Sequence, residues 1–249
     1  MNVNPKIEVF VPGYNVERFI DRCLSSIFEQ TYPYFDVLMI DDASTDKTGT
    51  LMDEASRRYK FRESLVMHNE TNQKMPRNLE FLRVGNPDNV IVIVDADDYL
   101  FNLNVFTIIA DEYLDPDLWL MYGSYTREDP RIMPNPALPF PPDVIANRSF
   151  RKYSATNLVY NHPITFRRRL LQNIEDWEMQ SNGEWFTAAY DHVIMMPMLE
   201  MSAPDHFKWC PEILYVYNED NELSEAKRDR SEGITVHNVV NSRPKRDQL

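Results

Sequence analysis

Three aspartates at the end of one apolar run form the chemically most informative pattern of this chain. The run Val90–Val94 is entirely β-branched, and Asp95, Asp97 and Asp98 follow it directly. Clustered carboxylates repel one another, and a hard divalent cation with oxygen ligands relieves that repulsion most simply. We therefore expect a metal site here, although a solvated acidic turn that caps the next helix would have the same residues.

Two further groups of polar residues also follow apolar runs. Tyr14 and Asn15 come after a first run near the N-terminus, and Asp41 and Asp42 come after a second. If all three runs are parallel strands, the loops behind them share one edge of a sheet, where open α/β sheets bind ligands. The sequence therefore predicts one polar pocket assembled from three loops.

The elements that carry these loops alternate over the first hundred residues. We expect strands at 7–11, 35–40, 65–68 and 90–94. The segments between them have apolar residues at helical spacing. This alternation predicts an α/β fold, with a mostly parallel central sheet flanked by helices and right-handed crossovers.

The second half of the chain is less regular. Its clearest helix is predicted at Thr187–Met201, where Pro197 is expected to bend or end it. Between Arg127 and Asp143 stand six prolines, which exclude a regular element and predict an ordered surface loop or a lid.

The end of the chain gives two expectations. Residues 207–210 and 213–217 are predicted to be two strands that pair around Pro211. Residues 225–249 are polar and charged, so we expect a C-terminal tail with little to bury.

Composition narrows the possible functions. The 249 residues are 43% hydrophobic and 12% aromatic, which is typical of a globular protein, and no apolar run has the length of a transmembrane segment. The net charge of −13 argues against nucleic acid as a partner, and it means that an anionic substrate would need a cation. The only cysteines, Cys23 and Cys210, suit a reducing compartment, so a cytoplasmic location is expected.

Taken together and in this order, three segments resemble the signatures of family 2 glycosyltransferases. They are Val11–Asn15, Asp41–Asp46 and Val94–Asp98. Further matches are Gln30–Tyr32, Arg77–Asn78 and Leu214–Tyr217. The resemblance covers most of residues 5–224 and implies one GT-A domain at 1–224. Within it, 1–100 would be a Rossmann-like nucleotide-sugar-binding half and 101–224 the acceptor-binding, catalytic half.

The resemblance implies inverting transfer of a sugar from a nucleotide-sugar donor, usually a UDP-sugar, to a glycan or other hydroxyl acceptor. Mn²⁺ or Mg²⁺ is the implied cofactor. The nucleotide-binding positions of the family correspond to Pro12, Tyr14, Asn15, Asp42, Arg77 and Asp95, and its metal-binding position corresponds to Asp97. Of these, Asp42 would bind the base, Arg77 would lie near the diphosphate and Asp95 would contact the ribose or uridine side.

The catalytic base that the resemblance implies is Asp191. A positioned carboxylate can take the proton of the acceptor hydroxyl, and apolar neighbours would desolvate it and make it a better base. The chain departs from the family pattern at Tyr190, where the family has another acid. It also lacks the histidine that often follows the final Tyr-x-Tyr strand, and Glu219 and Asp220 stand in that region.

Two alternatives remain open at this point. The Asp-x-Asp motif also follows a buried strand in phosphotransferases of the haloacid dehalogenase type. There it usually lies on the first strand, whereas here it lies on the fourth. A sugar-nucleotide-binding protein that has lost its base would bind the donor without transferring the sugar.

Overall fold

The computed structural model describes residues 4–129, 131, 134, 136–157, 160–222 and 230–249. Its strands are β1 Ile7–Gly13, β2 Phe35–Asp41, β3 Ser64–His68, β4 Val90–Ile93, β5 Tyr99–Leu100, β6 Leu120–Arg127, β7 Asn161–Arg167, β8 Gln180–Ser181, β9 Glu184–Trp185 and β10 Phe207–Tyr217. Its helices are α1 Ile20–Phe28, α2 Thr48–Arg58, α3 Lys74–Asn78, α4 Val105–Glu112, α5 Pro142–Asn147, α6 Phe150–Ser154, α7 Arg168–Gln172, α8 Tyr190–Ser202 and α9 Arg230–Ser242. Single 3₁₀ turns lie at Leu79–Leu82 and Asp176–Met179.

Eight of the strands form one mixed, mostly parallel sheet in the order β3–β2–β1–β4–β7–β6–β10–β5. Strands β1 to β4 are mutually parallel, as predicted. Strand β7 is antiparallel to both of its neighbours, while β10 is parallel to β6. The remaining two strands, β8 and β9, form a small hairpin just before α8.

Strand β4 lies in the middle of this sheet and is buried on both faces, which the sequence predicted. Val90 and Val92 belong to a core covered by α1, α2 and α4. Ile91 and Ile93 belong to the opposite core, to which α5, α6, α7, α8 and α9 contribute. Full burial of each such side chain contributes about 1.5–3 kcal/mol, so both cores hold this strand and the loop behind it.

Helix α8 is buried on every side. All of its residues from His192 to Ser202 are buried, so it lies inside the second core instead of on the surface. Pro197, expected to bend or end the helix, does not end it, because the helix continues through that residue to Ser202. None of the described helices is long and apolar enough to cross a membrane.

The charged C-terminal segment is not a loose tail over its described part, which corrects the expectation for 225–249. It contains α9, whose Val236 and Val240 are buried. Arg151 forms a bidentate ion pair with Glu200 of α8, at 2.8 and 2.9 Å, and donates a third hydrogen bond to the Val240 carbonyl. A charged sequence can therefore be anchored by a few long-range contacts. Residues 225–229 lie outside the described residues.

One other expectation also differs in the structure. Residues 207–217 form one strand instead of a pair, with register irregularities on either side of Ile213. Arg168, at the start of α7, is 2% exposed, donates to main-chain carbonyls and pairs with Glu8. In the proline-rich loop, Phe140 is buried and Ala137 donates to Ser124, so that part is ordered. Residues 130, 132, 133 and 135 of the loop lie outside the described residues.

Candidate active site

The loops behind β1, β2 and β4 meet at one edge of the sheet, as the sequence predicted. The main-chain N–H of Asp42 donates to the Gly13 carbonyl at 2.8 Å, and that of Ala96 donates to the Pro12 carbonyl at 3.3 Å. A Cβ atom at Gly13 would lie 3.1 Å from Ala96 Cβ, so glycine lets the loop behind β1 approach the loop behind β4 closely. Pro12 thus lies between the two other loops, in the predicted pocket.

Asn15 and Tyr14 lie on the first loop. The Asn15 side-chain oxygen accepts a hydrogen bond from the main-chain N–H of Thr45 at 2.8 Å. The main-chain N–H of Asn15 donates to the Ser44 hydroxyl at 3.0 Å. Asn15 therefore ties the first loop to the second. The ring of Tyr14 lies 5.9 Å from the Lys74 ammonium and has one face toward that cation.

Asp42, which is predicted to bind the nucleotide base, also stabilises the local structure. Its carboxylate accepts hydrogen bonds from the Asn69 side chain at 2.7 Å and from the main-chain N–H groups of Gln73 at 2.8 Å and Lys74 at 2.9 Å. These bonds fix the segment that leads into α3. Its contact with a nucleotide base stays a prediction.

Arg77 is exposed on α3 and lies beside the hairpin that precedes α8. Its guanidinium carbon lies 5.4 Å from the centroid of the Trp185 ring on β9. Asn78, the next residue, is buried and accepts a hydrogen bond from Asn69 at 2.9 Å. The same segment that Asp42 fixes therefore holds the Arg77 cation beside the Trp185 ring.

The acidic loop behind β4 is held by the residues that follow β10. The Asn221 side chain donates to the Asp97 carboxylate at 2.7 Å. The Asn218 main chain donates to the Asp98 carboxylate at 2.8 Å, and its side chain donates to the Asp97 carbonyl at 3.0 Å. Burial raises the pKa of Asp97, and burial together with the charges of Asp97 and Asp95 raises the pKa of Asp98 well above its ordinary range.

Asp95 lies among aromatic and imidazole side chains. The Tyr190 hydroxyl donates to its two carboxylate oxygens at 2.9 and 3.1 Å, and His162 Nε2 lies 4.0 Å from Oδ2. Burial raises the pKa of Asp95 to about 6, with a further contribution from the Asp97 charge, while His162 and Tyr190 oppose the rise. The side chain keeps 26% of its surface exposed, so water screens part of this effect.

Asp191 lies in the first turn of α8 and is half-buried. The hydrogen bonds from the neighbouring Tyr190 to Asp95 place the first turn of α8, and with it Asp191, beside the acidic loop. The helix begins after Ala189, whose φ of 50° is left-handed and turns the chain sharply from the β8–β9 hairpin into α8. The structure thus brings the predicted base to the acidic loop, across a long stretch of sequence.

The residues around Asp97 fit a metal ion that a ligand helps to hold. No group of three His, Cys, Asp or Glu side chains suited to a metal ion occurs in the described part of the chain. Asp97 instead lines an open cavity of about 200 Å³ together with Asn218 and Asp220. A carboxylate beside such oxygen donors suits Mg²⁺ or Mn²⁺, which commonly bind one or two protein carboxylates and the phosphates of a substrate.

Four side chains of this site were not predicted from the sequence: Tyr190 as a hydrogen-bond donor, His162, Asn218 and Asn221. Asn218 and Asn221 stand where the family pattern often has a histidine, so a pair of asparagines after the last strand was the available signal. His162 had no local signal, because only the pairing of β7 with β4 brings it to Asp95. Of the acids expected in that region, Glu219 pairs with Arg127 at 2.9 Å.

Comparison with known proteins gives a family match over most of the chain. A family model described as glycosyl transferase family 2 matches residues 8–174. Glycosyltransferase GlyA of Streptococcus pneumoniae is 33% identical over 100 residues, which are 40% of this chain and 14% of GlyA. The poly(ribitol-phosphate) β-N-acetylglucosaminyltransferase TarS of Staphylococcus aureus is 31% identical over 97 residues, 38% of this chain and 17% of TarS. The matched region thus spans only a fraction of these relatives.

Solved structures show the same fold. Residues 1–349 of S. aureus TarS in complex with UDP-GlcNAc superpose with a TM-score of 0.63 and 22% identity, covering 87% of this chain and 59% of that one. The mannosyltransferase PcManGT from Pyrobaculum calidifontis, in complex with GDP-Man and Mn²⁺, gives a TM-score of 0.64 and 18% identity over 98% of this chain and 66% of that one. At these identities the likeness concerns the fold alone.

Proposed function

The chain belongs to glycosyl transferase family 2, and from that premise we propose that it transfers a sugar from a UDP-sugar to an acceptor hydroxyl with inversion. The observation that carries this proposal is the bond from Tyr190 to Asp95, which joins the first turn of α8, where Asp191 lies, to the acidic loop of Asp95 and Asp97. The fold confirms the α/β prediction. Family membership also removes the haloacid dehalogenase alternative, since the acidic motif stands on the fourth strand of a different fold.

The donor would lie in the pocket between the three loops. Its diphosphate is anionic. Lys74 beside Tyr14 and Arg77 beside Trp185 would supply cations on one side, and Arg18 and Arg22 line the cavity that contains Asp97. Asp97 would hold Mn²⁺ or Mg²⁺ together with the diphosphate oxygens. When bound, such an ion stabilises the negative charge that grows on the leaving UDP. The nucleotide of the TarS complex, UDP-GlcNAc, makes a UDP-sugar the first donor to test.

Asp191 would act on the acceptor. As the acceptor oxygen attacks the anomeric carbon, its proton passes to the Asp191 carboxylate and the bond from that carbon to the UDP oxygen breaks. The electron pair of the broken bond leaves with UDP, so the attack comes from the face opposite to the leaving group and the configuration inverts. General base catalysis of this kind contributes roughly 10²–10⁴-fold.

The proposal is tested by measuring binding and turnover of UDP-GlcNAc, with GDP-mannose as the comparison donor. We expect Mn²⁺-dependent stabilisation by UDP-GlcNAc in a thermal shift assay, since a specific ligand raises the melting temperature by mass action. We also expect slow release of UDP, with water in place of the unknown acceptor. Binding without any UDP release, even when candidate acceptors are added, would favour the non-catalytic alternative.

A further inference from the structure

Tyr190 connects the acidic loop to the helix of the candidate base. Its hydroxyl donates to both oxygens of Asp95, and its neighbour in the chain is Asp191. Burial and the Asp95 charge raise the pKa of Tyr190 well above its ordinary value, so the hydroxyl keeps the proton that it donates. A second carboxylate at this position would repel Asp95, whereas a phenol hydroxyl binds it.

Asp95 is held on its other sides as well. Its main-chain N–H donates to the Tyr215 hydroxyl at 3.1 Å, and the His162 ring stacks on the Tyr215 ring with 5.2 Å between centroids. The Tyr190 hydroxyl therefore meets a carboxylate whose position is already defined by the sheet. A shift of the acidic loop would therefore act on the first turn of α8 through the bonds between Tyr190 and Asp95.

The packing of the rest of α8 makes the Tyr190–Asp95 contact important for the position of the first turn. From His192 onward every residue of the helix is buried, so most of the helix is fixed by packing. Asp191 is half-buried in the first turn, at the end that faces the pocket. Tyr190 gives that turn its hydrogen bonds to the acidic loop, whereas Asp191 has a charge interaction with Asp95.

We infer that Tyr190 is a positioning residue, whose bond to Asp95 fixes the first turn of α8 so that a donor bound at the acidic loop determines where the Asp191 carboxylate lies. The inference rests on the proposed function and assigns a role to a residue that departs from the family pattern. It predicts that removing the hydroxyl uncouples binding from turnover.

The test compares Tyr190→Phe with Tyr113→Phe. Both substitutions remove one phenol hydroxyl that donates a hydrogen bond, and that of Tyr113 bonds to the Thr165 carbonyl at 2.8 Å instead of to the acidic loop. With UDP-GlcNAc and Mn²⁺, Tyr190→Phe should lower the rate of UDP release about tenfold or more while KM stays within about threefold. Tyr113→Phe should leave both values close to those of the unchanged protein. A rate in Tyr190→Phe equal to that of the control would overturn the inference.

A second readout does not depend on activity. Hydrogen exchange of the peptide covering 187–195 is followed with and without UDP and Mn²⁺. We expect these ligands to protect this segment in the unchanged protein, and to protect it much less in Tyr190→Phe at equal saturation. Equal protection would also overturn the inference. An unchanged protein that neither binds nor releases UDP would refute the proposed function itself, whereas normal binding with identical variants refutes only the role of Tyr190.

Discussion

Asp97 is the residue on which donor binding should depend most. The protein carries a net charge of −13, and a nucleoside diphosphate is also anionic, so the two repel unless a cation lies between them. We expect removal of the metal with EDTA to weaken UDP binding about tenfold or more, and Asp97→Ala to bind equally weakly with and without Mn²⁺. Isothermal titration calorimetry with UDP measures both.

The control for Asp97→Ala is Asp143→Ala, which removes one exposed carboxylate from the start of α5. It changes the net charge equally and should leave the metal dependence intact. Full UDP affinity in Asp97→Ala with Mn²⁺ present would mean that the metal, if it is needed, is held elsewhere.

Asp191 should separate catalysis from binding. Asp191→Asn keeps the shape of the side chain but cannot accept the proton of the acceptor. Transfer, or UDP release to water, should therefore fall roughly 10²-fold or more, while the affinity for UDP changes by less than about threefold. Steady-state kinetics and calorimetry on the same preparation test both parts.

Glu184→Gln is the matched control for Asp191→Asn. Glu184 is an exposed acid on the hairpin directly before α8, so its loss removes a nearby charge without touching the first turn of the helix. We expect normal turnover. If Asp191→Asn turns over normally and Glu184→Gln does not, the base lies on the hairpin.

At the scale of elements, a buried imidazole joins α8 to α9. His192 Nε2 lies 2.9 Å from the Asn241 oxygen, and Nδ1 lies 2.6 Å from the Tyr160 hydroxyl, so a neutral ring protonated at Nε2 donates to Asn241 and accepts a hydrogen bond from Tyr160. The His237 ring stacks on it with 3.9 Å between centroids. These bonds need a neutral ring, and burial, followed by the charge of His237, lowers the pKa of His192 from 6.5 to about 4.

Acid should therefore loosen the contact between α8 and α9. Between pH 6.5 and about 4 the unfolded chain binds a proton at His192 that the folded protein does not, so this stabilisation is complete above pH 6.5 and is lost as the pH falls. The change is at most about 3 kcal/mol. The charge of Asp191 opposes the lowered pKa and that of Arg151 adds to it.

Urea unfolding of the unchanged protein and of His192→Gln measures this contribution. Other groups titrate in both proteins, so the informative quantity is the difference between their unfolding free energies. We expect it to shrink as the pH is lowered from 7 to 4. A difference that stays constant over this range would contradict the assignment.

The elements that could be predicted are those whose own residues are buried. Strands β1, β2 and β4 have apolar residues on both faces, so their sequences alone identify them. Strand β10 could not be read as one element, because Pro211 interrupts its sequence. The proline is tolerated in the stretch where the register with β6 is irregular, so its missing N–H removes no regular ladder bond.

The loops of the candidate site could be predicted because the strands that precede them could. Its loops follow strongly apolar strands, so the acids of 95–98 and 41–42 could be placed at one edge. The bond from Tyr190 to Asp95 and those from the asparagines after β10 join positions far apart in the chain. Such contacts depend on the register of β7 and β10, which no local pattern specifies. Helix α9 was missed likewise, since only Val236 and Val240 are buried in it.

At the scale of the whole molecule, the two predicted halves share one sheet and its hydrophobic cores. Strand β7 of the second half pairs with β4 of the first, and β5 of the first half pairs with β10 of the second. The core beneath α1 also crosses the boundary, since it contains Cys23 of the first half and Cys210 of the second. The halves at 1–100 and 101–224 can differ in function, but neither has a hydrophobic core formed by its own residues alone.

This interleaving predicts one cooperative unfolding transition. Cys23 and Cys210 are both free thiols, 0% and 2% exposed, so each reacts with a thiol reagent only when its own region opens. Cys23→Ser leaves Cys210 as the one thiol, and Cys210→Ser leaves Cys23. Pulsed thiol labelling of each variant across a urea gradient should give the same midpoint, once each midpoint is corrected for the stability of that variant. The fluorescence of the tryptophans, which all lie beyond residue 101, should change at that midpoint too. If Cys23 instead became reactive at a clearly lower urea concentration than Cys210, residues 1–100 would unfold as a separate unit and the shared sheet would not couple the donor pocket to α8.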